Sequence, residues 1–296
     1  MRPDGVFDCT ATDTPVGWIC EDIGGGSGGN GGSGGNGGNG GNGGGADGNT
    51  GGNTTGGNTG GDRDSNKKSP CEEARAALTA AQNSRGAYTG VGAPGWQRAQ
   101  TWSNDGTGFG AVVFTNSDTG QAMLAFRGTD GFSGLDWVAN IGQWAGQDTP
   151  QYEQAVSIAR DFSRTYGGSN ASITGHSLGG GLASLGGLVT GLNTYTFNAV
   201  GLSPSTMSRN NVSTSMEGNI QAYYVFGEIL SLGQDLSGRY QAVGNRIALA
   251  PALNATNILA GLATPFFPLT ASAEIHRINQ VISSLEQRVA SACGGK

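Results

Sequence analysis

Charge and histidine are scarce in this chain, and each scarcity excludes a class of function. Charged residues make up 13% of the 296 positions, the net charge is −6, and the 16 Lys and Arg form no basic cluster. That removes the electrostatic footprint of a nucleic-acid binder or a polybasic membrane patch. No stretch is long and apolar enough to span a bilayer, and Met1-Arg2-Pro3-Asp4 is not followed by the apolar core of a signal peptide. The 4 cysteines include no C-x-x-C pair, so the usual spacing of a zinc or dithiol site is missing and no metal or cofactor is expected. With 2 histidines in the whole chain, any imidazole chemistry has to draw on His176 or His276.

Glycine, by contrast, is abundant at 56 residues, and much of it falls in one place. From Gly24 to Gly61 the sequence is nearly all Gly, Asn, Ser and Thr, with no apolar groups to offset the entropy of ordering. Calcium-binding glycine-rich repeats would need regularly placed aspartates, and only Asp47 stands in the middle of the tract. The chain therefore divides into a short N-terminal segment (1–23), a disordered Gly/Asn-rich tether (24–68) and one α/β domain (69–296). Cys9 and Cys20 lie in the first part, and Cys71 and Cys293 at the two ends of the third. Of three connectivities, Cys9–Cys20 with Cys71–Cys293 would close a small loop and clamp the first helix to the last. Disulfides imply an oxidising compartment, periplasmic or extracellular. Without a signal peptide, this points to a mature form, a fragment or a specialised export route. The segment 1–23 is then a candidate for binding a delivery or surface partner.

Within 69–296, Ser69-Pro70 ahead of Cys71-Glu72-Glu73 predicts a capped helix running to about Ser84. Two apolar runs, Gly110–Thr115 and Gln121–Phe126, flank a turn sequence and predict a β-hairpin. Tyr152, Ala155, Val156, Ala159 and Phe162 recur at helical spacing. Strands fit 171–174, 195–200 and 220–226, and a final helix carries Ile275, Ile278, Ile282, Leu285 and Val289 on one face. Strands alternating with helices argue for an α/β fold whose mostly parallel sheet is covered by helices.

Gly175-His176-Ser177-Leu178-Gly179 sits between the apolar run 171–174 and the small-residue run 180–185. Strand, tight turn and helix are the context that makes G-x-S-x-G a nucleophile elbow, with the N–H after the serine free to hold an oxyanion. A serine hydroxyl needs a base. His176 adjoins Ser177 and on an elbow would point sideways, as a packing or hydrogen-bonding residue. His276, at the opening of the last helix, fits the order Ser, acid, His of an α/β-hydrolase. The acid should end a strand between them, and Glu228, directly after 221–226, is the first candidate. Asp235 is the second, because spacing alone does not fix which loop reaches His276.

Three segments, Leu124-Ala125-Phe126-Arg127-Gly128-Thr129-Asp130, Asp136-Trp137-Val138-Ala139-Asn140 and Ile173-Thr174-Gly175-His176-Ser177-Leu178-Gly179-Gly180, resemble the paired signatures of class 3 lipases. The resemblance runs from about Gly106 to the C-terminus. It implies that Thr129 supplies one oxyanion-hole donor and the backbone N–H of Leu178 the other. It also implies that 130–146 occupies the place of a lid with Trp137 as an apolar anchor. Glu228 stands where these lipases usually carry Asp, which keeps Asp235 open. The combination of Thr107-Gly108-Phe109, Phe126-Arg127-Gly128-Thr129, Thr196-Phe197-Asn198-Ala199 and Gly227-Glu228 more closely resembles bacterial lipase-like proteins, including phospholipase effectors delivered to rival cells.

The expected activity is therefore a serine hydrolase acting on lipid carboxylic esters, triacylglycerol or phospholipid, through an acyl-enzyme. The apolar run from Ile247 to Leu269, broken by Pro251, Pro265 and Pro268, would line an acyl pocket, dip into a lipid interface or lie buried as loop. The competing readings are a carboxylesterase or polyester hydrolase on non-lipid esters, and a non-catalytic surface-binding module on a hydrolase fold.

Overall fold

Ser69 starts the first long helix by accepting a hydrogen bond from Glu72 N–H, while the Glu72 carboxylate reaches back to Ser69 N–H at 2.8 Å. This capping box, with Pro70 at the first helical position, satisfies donors that would otherwise be orphaned. Helix α1 spans Pro70–Thr89 and stops at Gly90 in the left-handed region (φ 74°), a turn beyond the sequence expectation. The extension matters because it carries Tyr88. Ala74, Ala77, Ala80 and Ala81 on its inner face are fully buried, and these small side chains let α1 lie close on the sheet, where Thr174 Oγ1 donates to Ala80 C=O at 3.1 Å.

The structure is a computed structural model that describes residues 7–11, 18–22, 68–128, 150–238, 240–252 and 275–294. Its strands are β1 (Phe7–Ala11), β2 (Trp18–Asp22), β3 (Gln97–Asn104), β4 (Phe109–Asn116), β5 (Gln121–Phe126), β6 (Ala171–His176), β7 (Asn193–Phe197), β8 (Ile220–Val225) and β9 (Asn245–Leu249). They form one sheet in the order β2-β1-β3-β4-β5-β6-β7-β8-β9. β3, β4 and β5 run antiparallel, and β5 to β9 are all parallel. β1 pairs antiparallel with β2 and parallel with β3, so these N-terminal strands extend the sheet edge, with Cys9 opposite Cys20 in the register.

Helices α2 (Pro150–Tyr166) and α3 (Leu178–Thr190) cover one face, burying Tyr152, Ile158, Phe162, Leu182 and Leu185 against Leu124, Phe126 and Ile173. On the other face α1 and the last helix bury Ala77, Ala80, Val281, Ile282 and Leu285 against Met123, Phe197, Tyr223 and Val225. That is the α/β-hydrolase architecture, with alternate residues of each strand serving opposite cores. Short helices α4 (Pro204–Arg209) and α5 (Ile229–Ser237) follow β7 and β8, and α6 (Ile278–Cys293) closes the chain. A disulfide joins Cys71 to Cys293 across 222 residues, stapling the far ends of α1 and α6. In the chain-entropy treatment a loop of that size stabilises by about 5 kcal/mol.

Two parts of the sequence reading change. The run beginning at Ile247 opens as strand β9 rather than as pocket or loop, and the rest of it from 253 on lies outside the described residues, as do 130–146 and Trp137. Asp235 lies inside α5, not on a long loop.

Candidate active site

β6 ends at His176 and α3 begins at Leu178, leaving Ser177 alone in the turn with φ 59° and ψ −123°. A positive φ at a residue bearing a Cβ costs on the order of 1–3 kcal/mol and is held only where the surroundings dictate it. Here the neighbours dictate it through close backbone contacts. A Cβ on Gly175 would stand 2.1 Å from Gly179 O, and one on Gly179 would stand 2.4 Å from Phe126 O. Glycine at both positions is therefore steric necessity. Ser177 is 2% exposed, and among the described residues its Oγ has no hydrogen-bond partner. Leu178, the first residue of α3, belongs to the turn whose N–H groups have no intrahelical acceptor.

Glu228 is fully buried and caps α5: its carboxylate accepts from Leu230 N–H (2.9 Å) and Ser231 N–H (2.5 Å). The same carboxylate lies 2.6 Å from His276 Nδ1. Burial alone would raise the Glu228 carboxyl, but the adjacent His276 charge and the hydrogen bonds from His276 and Ser231 outweigh it, so it is held below the ordinary carboxylate value. His276 is also fully buried, in a short helical turn that Arg277 separates from α6. The imidazole thus donates Nδ1–H to the Glu228 carboxylate, which fixes its tautomer.

Asp235 does not join this pair. It sits on the exposed side of α5, bonded to Arg246 Nη1 at 2.9 Å and accepting from Gln241 at 2.6 Å. Helix α5 starts at Ile229, directly after its cap, so no loop remains to carry Asp235 to His276. Thr129 lies outside the described residues. Gly128, next to it, donates N–H to Tyr88 Oη at 2.9 Å, and a Cβ there would meet His176 O at 2.8 Å, so the end of β5 abuts the elbow. Among the described residues no cluster of three or more His, Cys, Asp or Glu is placed to hold a metal ion.

His176, read from the sequence as a packing or hydrogen-bonding residue, joins two residues that the sequence did not mark, Asn198 and Tyr88, in a network that ends on the His276 carbonyl. His176 Nε2 lies 2.7 Å from His276 O, with the two rings 4.9 Å apart between centroids. Asn198 Nδ2 donates to the same carbonyl at 2.9 Å. Tyr88 Oη lies 3.4 Å from His176 Nδ1. Burial first, then repulsion by His276, pushes the His176 imidazole down to about 3, so it is neutral at the pH of any ordinary compartment.

That neutrality makes the fold acid-sensitive. In the unfolded chain His176 binds a proton near its ordinary value of 6.5, while the folded site refuses one until about 3. Its contribution to stability is thus complete above pH 6.5 and is lost as pH falls toward 3, amounting to several kcal/mol. Glu228 adds a loss of the same sign, below its ordinary carboxylate value. Urea unfolding at pH 7, 5.5 and 4 is expected to show steadily falling stability, and His176→Gln should flatten the portion above pH 5. An unchanged slope in that variant would contradict the assignment.

Residues 90–279 match a phospholipase-like family described as the Tle-like phospholipase domain. The chain is 34% identical over 192 residues to the extracellular phospholipase A1 of Serratia liquefaciens, an alignment covering 62% of this chain and 57% of that protein. It therefore spans little more than half the length of that relative. Among solved structures it is similar to a triacylglycerol lipase from Penicillium expansum, at 13% identity and a TM-score of 0.45 over 62% of this chain and 82% of that one. It is likewise similar to lipase II from Rhizopus niveus, at 18% identity and a TM-score of 0.43 over 61% and 78%.

Proposed function

The chain belongs to the family of Tle-like phospholipase domains, and on that premise we propose that it hydrolyses carboxylic esters of phospholipids through an acyl-enzyme on Ser177. The observation that carries this reading is the buried 2.6 Å contact between Glu228 and His276 Nδ1, at the same C-terminal end of the parallel strands as a strained serine elbow. In the reaction, Ser177 Oγ attacks the acyl carbonyl carbon while its proton passes to His276 Nε2. Glu228 holds the imidazole tautomer and stabilises the imidazolium without taking the proton. The oxyanion is assigned to the Leu178 N–H and to Thr129; loss of one such donor costs on the order of 100-fold or more in turnover. Collapse of the tetrahedral adduct breaks the ester C–O bond, and the proton on His276 goes to the departing lysolipid hydroxyl. Water, deprotonated by the same imidazole, then releases the fatty acid and restores Ser177.

Phospholipid is favoured over triacylglycerol because the family and the Serratia relative both carry that name. The Cys71–Cys293 disulfide supports secretion into an oxidising compartment. We further propose that segment 1–23 engages a delivery or surface partner. Mass spectrometry of products from mixed phosphatidylcholine and triolein vesicles tests the substrate. Lysophospholipid with free fatty acid is the expected result, and diacylglycerol with free fatty acid but no lysophospholipid would point to triacylglycerol cleavage instead.

An aggregated lipid, rather than a soluble ester, fits the apolar groups beside Glu228. Phe226 is 69% exposed just past β8, and Leu232 and Leu236 are 46% and 79% exposed on α5. Apolar side chains grouped in the open at the end of the sheet that bears the site suit a lipid interface. Leu236→Asp is expected to lower vesicle hydrolysis about tenfold and to leave hydrolysis of p-nitrophenyl butyrate within about twofold. Equal loss on both substrates would favour a soluble-ester enzyme.

A further inference from the structure

The segment after β7 touches every arm of the proposed site. Ser177 N–H donates to Phe197 O at 3.0 Å, and Val200 N–H donates to Ser177 O at 3.1 Å, so residues 197–200 bracket the nucleophile's backbone. Between those two contacts stands Asn198, fully buried and at φ 43°. Its side chain spans the other two arms. Asn198 Oδ1 accepts Val225 N–H at 2.9 Å, at the end of β8 just before Glu228, and Asn198 Nδ2 donates to His276 O at 2.9 Å. The orientation of the amide follows from its partners: an N–H can only donate and a carbonyl can only accept.

His176 completes the grip on the same carbonyl. Facing His276 O at 2.7 Å, its Nε2 has to carry the proton. The bare Nδ1 is then an acceptor for Tyr88 Oη at 3.4 Å, while that oxygen itself accepts Gly128 N–H at 2.9 Å. The base is therefore held at two points: Glu228 fixes the imidazole, and Asn198 with His176 fixes the backbone that bears it.

We infer that Asn198 is a positioning residue, whose amide sets His276 against both Glu228 and Ser177 by tying the His276 carbonyl to the end of β8. The inference rests on the serine-hydrolase reading above. Few residue types could fill the role, because the position needs one donor and one acceptor on a short side chain and a backbone that tolerates positive φ. Asparagine meets all three conditions. Aspartate keeps the φ tolerance and the acceptor for Val225 N–H but turns an oxygen toward the His276 carbonyl. Glycine keeps the backbone alone.

The test compares Asn198→Asp and Asn198→Gly with the parent chain on p-nitrophenyl butyrate and on phosphatidylcholine vesicles, with Ser177→Ala and His276→Ala as references. Misplacement of a base by a fraction of an ångström is expected to lower kcat about 10- to 100-fold, with KM within about threefold. Labelling of Ser177 by a fluorophosphonate should slow in proportion, and Asn198→Gly, which removes the strained Cβ but leaves Val225 N–H without its partner, should remain folded by circular dichroism at some cost in melting temperature. In a His276→Ala background the residual rate should be the same with Asn or Asp at 198, since the residue acts only through His276. A further drop in that background, or kcat within about twofold of the parent in both single variants, overturns the inference. If Ser177→Ala and His276→Ala abolish activity while both Asn198 variants remain fully active, the inference alone fails. If Ser177→Ala stays active, the hydrolase reading fails and takes the inference with it.

Discussion

Ser177→Ala is expected to lower kcat for every ester by on the order of 10⁶-fold, and to leave the protein at least as stable as the parent. The two halves of that expectation come from one geometry. The hydroxyl is buried and, among the described residues, has no hydrogen-bond partner, so its removal deletes a desolvated polar group worth about 1–3 kcal/mol of penalty. The backbone strain remains, because alanine also carries a Cβ at φ 59°. Ser177→Gly relieves that too and should be the more stable of the two. Thermal denaturation beside vesicle hydrolysis separates the outcomes. Activity within tenfold of the parent would remove Ser177 from the chemistry, and a large drop in melting temperature would mean that the hydroxyl serves the fold.

The elbow was legible because its determinants are local. Gly175 is required by its contact with Gly179 across a strand, a turn and a helix that adjoin in sequence, and the Ser69 capping box is local in the same way; Gly179 fits the same motif although the backbone it meets, at Phe126, is distant in sequence. β3 was harder to see. Its sequence QRAQTWSN buries only Trp102 fully, so it shows neither an apolar run nor clean alternation. β9 was hidden inside a longer apolar stretch whose prolines suggested loop. Tyr88 and Asn198 were invisible as site residues because their partners lie far along the chain, from Tyr88 to His176 and from Asn198 to His276. A faint signal for Asn198 did exist: an asparagine ending a strand in Phe197-Asn198-Ala199 tolerates positive φ better than most residues.

The choice between Glu228 and Asp235 depended on recognising one short helix. Ile229, Leu230 and the residues after them read as the end of a strand and a loop if Glu228 is taken only as an acid. Taken as an N-cap, Glu228 starts a helix at once, and that helix carries Asp235 out to solvent and to Arg246. The carboxylate that caps α5 is therefore the one that meets His276, and the helix terminus assists it. Two backbone N–H groups and the positive end of the helix dipole favour its charged form. The same contacts fix its direction, which a longer glutamate would otherwise lack.

Glu228→Gln is expected to lower kcat by on the order of 10⁴-fold, while Asp235→Asn stays within about twofold. The glutamine amide has one acceptor oxygen where the carboxylate has two. That oxygen can keep a cap hydrogen bond from Leu230 or Ser231, and then the NH₂ group faces His276 Nδ1. A donor there forces the imidazole proton onto Nε2, the atom that has to accept the proton of Ser177. The substitution thus inverts the tautomer rather than merely removing a charge, and KM should change little because Glu228 is buried away from substrate. Some stability should go as well, because the amide caps α5 less well than the carboxylate and leaves a buried donor or acceptor short of a partner. Asp235 is different in kind: its ion pair with Arg246 is partly exposed, with side chains 42% and 22% accessible, so its loss is worth about 1 kcal/mol or less. Steady-state kinetics of the two variants, read with the histidine ring ¹⁵N shifts of Glu228→Gln, decide the matter. A His276 that keeps its proton on Nδ1 while kcat collapses would mean that Glu228 acts through charge alone. Equal kinetic losses in both variants would return Asp235 to the site.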